Sequence, residues 1–315
     1  MFLSTMTSAA QQVIILYVIV AVGFAADKLK LFERKAALLC TSLLFHIVTP
    51  IKIVQSFLAM EYSAENARGL LIAGGCGLVL HAVSTTASTF VFNKSPVERA
   101  SVFKFASAYG NCGYMALPLA NALIGAQGVF YCSVVIITFQ LFAFSHGLHI
   151  MSRSPSGESG KISLKKLALN PGLVSVGLGL PLFLLGVKLP VMLTAPIDYI
   201  ASLNTPLSML IFGTYIANTQ LSGIFKEERI LGVALLKLVF LPLAMLGLFS
   251  LFGVKGTLLT AVILSASAPP ANNTVMFAAK YDKDAGLAAQ VVSSVSFLSI
   301  LTIPVMQGLA TLASQ

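Results

Sequence analysis

Ten stretches of this chain, at about 11–26, 36–58, 70–92, 97–124, 128–151, 171–187, 192–217, 230–252, 256–279 and 285–312, are apolar over lengths that suit a crossing of a roughly 30 Å hydrocarbon core. With 57% apolar and only 10% charged residues over 315 positions, too little polar surface is left to coat a soluble protein of this size. Inside a bilayer an unpaired backbone group costs several kcal/mol, so a chain of this kind must satisfy its backbone within helices. The expected fold is all-α and integral to the membrane, with ten transmembrane helices.

The formal charge of +9 would suit a nucleic-acid partner if it were clustered, but its placement follows topology instead. Lys28, Lys30, Arg34 and Lys35 follow the first run, Lys94 and Arg99 the third, Arg153, Lys161, Lys165 and Lys166 the fifth, Lys226 and Arg229 the seventh, and Lys280 and Lys283 the ninth. The opposite side carries only Arg68, Lys188 and Lys255. Cytoplasmic loops hold the Lys and Arg excess, so odd-numbered spans end inside and both termini are external. Met1 to Gln12 contains no Lys or Arg and lacks the charged start of a secretory signal, so the first span is expected to stay in place. The expected location is the plasma (inner) membrane, and no nucleic-acid partner is expected.

Two of the ten runs are interrupted. Gly110-Asn111-Cys112-Gly113-Tyr114-Met115-Ala116-Leu117-Pro118 is a polar, glycine-flanked break in the fourth, and Ser265 to Asn273 reads SASAPPANN in the ninth, with Pro269 and Pro270 adjacent and Asn272 and Asn273 after them. Irregular backbone at membrane depth survives only within protein or against a water-filled cavity. Interrupted spans in corresponding places of two halves are the strongest sequence pointer to a secondary transporter's binding site.

The halves correspond in other ways. Arg153 to Lys166 (RSPSGESGKISLKK) has the composition of a cytoplasmic linker near the midpoint, dividing a first repeat at 1–151 from a second at 170–315 across a linker at 152–169. Thr49-Pro50 in the second run is answered by Thr205-Pro206 in the seventh; Pro50 precedes Pro118 by 68 residues and Pro206 precedes Pro270 by 64. Pro50, Gly113 and Pro206 are therefore read as bends or breaks. Five spans per half is odd, so the second half enters the membrane inverted.

If the broken helices cross near the midplane, the N-terminal half-helix ends offer unpaired N–H groups and partial positive charge that attract anions. Asn111, Asn272 and Asn273 carry both donors and acceptors: they cap helices, bind a substrate carboxylate, or do both. Among ionisable groups within spans, Asp198 is the candidate ion ligand, with solvation at the interface as the plainer alternative. Lys104 and Lys237 lie near cytoplasmic ends and are expected to snorkel. His146 and His149 stand on one helix face without a third ligand, and Cys40, Cys76, Cys112 and Cys132 form no metal or CxxC pattern. No metal, cofactor or enzyme constellation emerges: neither HExxH nor GxSxG occurs, and Asp282-Lys283-Asp284 reads as a solvated turn.

Asn111 followed seven residues later by Pro118 in NCGYMALPL, Val275-Met276-Phe277-Ala278-Ala279-Lys280-Tyr281 after the proline pair, and Thr205-Pro206-Leu207-Ser208 to Phe212-Gly213 together resemble the auxin efflux carrier family, over essentially the whole chain. The resemblance implies two inverted five-helix repeats with crossed, discontinuous helices, related to the bile-acid symporter and sodium/proton antiporter folds. It implies a scaffold of helices one, two, six and seven, with a moving unit that works as an elevator. Carried over, Asn111 and Pro118 line the substrate pocket with the residues around Pro269 and Pro270; Tyr114, Asn272 and Asn273 complete the candidate set. The loop between halves is short here, unlike that of plant members, and acidic ion-site residues of sodium-coupled relatives are not evident near the breaks. The expected function is secondary transport of a small organic anion, a carboxylate or dicarboxylate of auxin, malonate or malate type; a sodium-coupled symporter of the bile-acid type and a channel are the alternatives. The expected partners are that anion and the lipid bilayer, with a homodimer open as the assembly.

Overall fold

A computed structural model describes residues 2–153, 168–218 and 227–314. Most of the expected linker, with Lys161, Lys165 and Lys166, and also Lys226, lies outside the described residues. We number the helices in chain order: α1 Phe2–Lys28, α2 Arg34–Leu58, α3 Ala64–Val91, α4 Val97–Ala108, α5 Cys112–Leu123, α6 Ala126–Ser152, α7 Pro171–Leu184, α8 Val191–Ala217, α9 Glu228–Leu251, α10 Gly256–Ser267, α11 Asn273–Lys280 and α12 Ala285–Ala313. Seven of these, α1, α2, α3, α6, α8, α9 and α12, are long and apolar enough to cross a membrane, and α5, α7 and α10 are shorter apolar helices. Large apolar side chains face outward, with Val18 at 59% exposure, Leu71 at 78% and Leu301 at 71%, a surface that only lipid would solvate favourably.

Local chemistry sets the helix starts. Ser63 accepts from the Asn66 N–H at 3.0 Å to open α3, Asn170 accepts from Gly172 at 3.0 Å with Pro171 following to open α7, and Asp284 accepts from Leu287 at 2.8 Å to open α12. Each polar oxygen satisfies one of the N–H groups a helix start leaves unpaired, worth about 1 kcal/mol. The expected bend at Pro50 takes a particular form: α2 widens into a π-helical turn at Leu44–Val48 immediately before Thr49-Pro50. A proline ring clashes with the carbonyl four residues back, and a wider turn moves that carbonyl away. The same device precedes Pro118, with a π-helical turn at Cys112–Ala116, and Pro242, with one at Leu236–Phe240. Pro206 needs none, because α8 is interrupted at Leu203 and restarts at Asn204, placing Pro206 in a first turn where its missing N–H is tolerated.

Small residues decide which helices touch. α1 packs along α8 and α12. At the α1–α8 seam Gly23 meets the Leu210 backbone, and Gly213 meets the Val20 carbonyl and the Phe24 amide, so the two backbones are in direct contact. In α3, Gly69 fits against Tyr131 and Gly77 against Thr138 of α6. The two Thr-Pro motifs are brought together: Asn204, just before Thr205-Pro206, donates to Thr49 Oγ1 at 3.1 Å. The free cysteines are consistent with packing, three of them being buried.

Candidate functional site

The two breaks meet. α4 stops at Ala108 and α5 begins at Cys112; α10 stops at Ser267 and α11 begins at Asn273. Between them Gly110 and Pro270 form an antiparallel bridge, in which the Asn111 N–H donates to Pro269 O at 2.7 Å and the Ala271 N–H to Tyr109 O at 2.9 Å. The proline pair fits this role because a proline keeps its carbonyl and fixes φ: Pro269 O is the acceptor, while the flanking Ala271 supplies the N–H. Backbone groups released by both interrupted helices thus satisfy one another, as the low-dielectric surroundings demand.

Over this bridge lies a narrow, partly open cleft. Asn111, Cys112, Gly113 and Tyr114 line it from one break, and Ala271, Asn272 and Asn273 from the other. Its remaining walls are Phe45, Thr49, Pro50 and Ile53 of α2, Ile136, Phe139 and Gln140 of α6, and Gly172 of α7. Asn111 Oδ1 accepts from the Tyr114 N–H at 3.2 Å, which caps α5 and fixes the amide's orientation, leaving Nδ2 in the cleft without a hydrogen-bond partner among the described residues. The side chains of Asn272 and Asn273 are half-buried at the start of α11 and make no side-chain cap. Gln140 is held by Asn170, which donates to its Oε1 at 3.2 Å. An apolar wall with a few convergent amides and two helix starts is suited to a small ligand bearing hydrogen-bond acceptors and negative charge.

Of the candidates read from the sequence, Asn111, Tyr114, Asn272 and Asn273 come together at the cleft, joined by Pro50 and Gly113. Pro118, buried in α5, is not part of the lining, and Pro269 and Pro270 act through the bridge beneath it. Asp198 does not line the cleft: it is exposed on α8, where it accepts from Gln55 Nε2 at 2.6 Å, and Gln55 in turn accepts from Lys52 at 2.9 Å. His146 is engaged with Tyr109, its Nδ1 2.8 Å from the hydroxyl, while His149 is exposed.

Lys237 corrects the expectation of a snorkelling side chain. It is 1% exposed, and its Nζ donates to Ala266 O at 3.3 Å, beside the bridge. The π-helical turn that Pro242 imposes on α9 includes Lys237, and the proline was the available signal that this part of the helix is irregular. Gln140 and Phe45 also escaped the sequence reading, and Thr49 was read only as part of a Thr-Pro bend, because each reaches the cleft through packing.

The family model described as membrane transport protein matches the chain twice, over residues 8–161 and 157–307. An uncharacterized transporter of Methanocaldococcus jannaschii is 22% identical over 306 residues, covering 92% of this chain and 95% of that protein. A Rhizobium meliloti protein named "Putative malonate transporter" is 25% identical over 246 residues, covering 74% of each chain.

Proposed function

The chain belongs to the auxin efflux carrier family of membrane transport proteins, and on that premise we propose that it is a secondary carrier of a small carboxylate or dicarboxylate, bound at the meeting of its two broken helices. It is a multi-pass membrane transporter rather than an enzyme, as the family and the names of its relatives indicate. The observation that carries the substrate class is the cleft itself: unpartnered amide donors, Asn111 Nδ2 foremost, converge beside two helix starts over a bridge that has already satisfied the local backbone. A carboxylate accepts such donors with charge-assisted strength. The malonate in the printed name of the Rhizobium meliloti relative supports a short dicarboxylate.

In the same reading, ten helices form two inverted five-helix repeats, 1–151 and 170–315, in the plasma membrane with both termini external. The unit containing the crossing moves as an elevator against the scaffold, exposing the cleft to each side in turn. The test is thermal unfolding of the purified protein against a panel of mono- and dicarboxylates, each with and without sodium. A ligand that binds the folded state raises its apparent stability, by about 2.7 kcal/mol at a hundred times its Kd. We expect a short dicarboxylate to give the largest shift. A panel without any shift removes the anion reading, and a shift that needs sodium assigns the coupling ion.

A further inference from the structure

Every side chain that lines the cleft is neutral, yet a lysine side chain, Lys237, stands directly behind Gly110 at its floor. The cleft's floor includes Gly110, and the Cβ that Gly110 lacks would stand 3.0 Å from Lys237 Nζ and 3.2 Å from its Cε. Absence of a side chain at this position therefore lets the ammonium lie against the bridge. Lys237 is fully enclosed, with a hydrogen bond to Ala266 O near the C-terminal end of α10. That carbonyl belongs to the last turn, where a helix leaves its C=O groups unpaired and carries partial negative charge.

One backbone acceptor does not balance an ammonium with three donors. The ion pairs present among the described residues are Arg99–Glu227 and Lys188–Glu61, and neither involves Lys237. A buried charge with no opposite charge beside it is strongly unfavourable. In a low-dielectric interior its field is also little screened, so it extends through Gly110 into the cleft.

We infer that Lys237 is a specificity-determining residue that never touches the ligand: a fixed cation behind Gly110 that supplies the cleft's charge preference, with the bound anion as its missing counter-ion. This rests on the anion reading above and adds to it the source of charge selection. The amides and helix starts recognise the shape and acceptors of the carboxylate; Lys237 sorts ligands by net charge. Its contribution is accordingly graded, about twice as large in free energy for a dianion as for a monoanion and absent for a neutral analogue.

The test compares a dicarboxylate, its monoamide and its diamide, using malonate or whichever acid of the panel binds best, on wild type, Lys237→Met and Lys237→Arg. Methionine is close in length and removes a buried charge that has one hydrogen bond, a change that is often neutral or stabilising to the fold. In Lys237→Met, affinity is expected to fall about tenfold for the dianion and about threefold for the monoanion, with the diamide unchanged. Lys237→Arg is expected to retain the graded preference. In wild type the preference is expected to persist between about 0.05 and about 0.5 M salt, because a buried charge escapes screening. A preference kept intact by Lys237→Met, or equal losses for all three ligands, overturns the role of Lys237 while leaving the anion site standing. Loss of folded Lys237→Met beside a folded Lys237→Arg makes the charge structural and also overturns it, as does a wild-type preference abolished by salt. If no acid binds wild type, the anion reading falls and this inference falls with it.

Discussion

Asn111→Asp is expected to weaken binding of the carboxylate ligand at least about 100-fold, equivalent to about 2.7 kcal/mol, while the protein stays folded. Aspartate caps a helix as well as asparagine does, so the acceptor for the Tyr114 N–H is preserved, and the bond from the residue's N–H to Pro269 O belongs to the main chain. What changes is Nδ2, the unpartnered donor in the cleft, which becomes a second carboxylate oxygen. A hydrogen bond to a charged group is worth about 1.5–3 kcal/mol. Repulsion between two carboxylates about 4 Å apart adds about 4 kcal/mol at an effective dielectric near 20. Thermal-shift titration and substrate uptake into vesicles both read the loss. Wild-type affinity in this variant would place the ligand elsewhere. Asn111→Ala separates the terms: it removes donor and cap without adding charge, and is expected to cost about 1 kcal/mol of stability along with the binding loss.

Gly213→Val is expected to cost at least about 3 kcal/mol and to abolish recovery of monodisperse protein. The Cβ added there would collide with the Val20 carbonyl and the Phe24 amide of α1, and backbone atoms cannot rotate aside as a side-chain tip can. Relief requires α1 and α8 to separate, which strips contacts along the seam that also includes Gly23 and Leu210. Size-exclusion profiles and melting temperatures in detergent measure the effect. Gly177→Ala is the matched control: nothing lies within 4 Å of its new methyl group, and a helical alanine is expected to raise stability by about 0.5–1 kcal/mol. Equal behaviour of the two variants would mean that the α1–α8 contact is looser than described.

The breaks were legible because hydrocarbon tolerates so few arrangements of backbone. A polar, glycine-flanked segment at 110–118 and a proline pair at 269–270 had to be sheltered, and each shelters the other. Asn111, Tyr114, Asn272 and Asn273 were reachable for the same reason, since they flank the irregular backbone. Lys237 was misread because its place in the sequence, eleven residues from Lys226, suggested a helix end, whereas its enclosure depends on what α9 packs against. The π-helical turn before Pro242 changes which residues share a face, and a reading at 3.6 residues per turn passes over it. Gln140 and Thr49 owe their places to tertiary contacts with Asn170 and Asn204, which no local pattern encodes. Asp198 is a carboxylate within an apolar run, but it is exposed and accepts from the half-buried Gln55, which Lys52 holds, away from the cleft.

The bridge also sets a timetable for synthesis. Gly110 enters the membrane well before Pro270 exists, and at about 5–20 residues per second the ribosome needs roughly 8–30 seconds to make the intervening chain. Throughout that interval the Tyr109 carbonyl and the Asn111 amide lack their native partners. Helix α4 is therefore expected to wait near an interface, or shielded by the insertion machinery, until α10 arrives. A nascent chain halted before residue 269 would carry a reactive handle at position 110 that is open to a water-borne label; one released after residue 280 would have closed it.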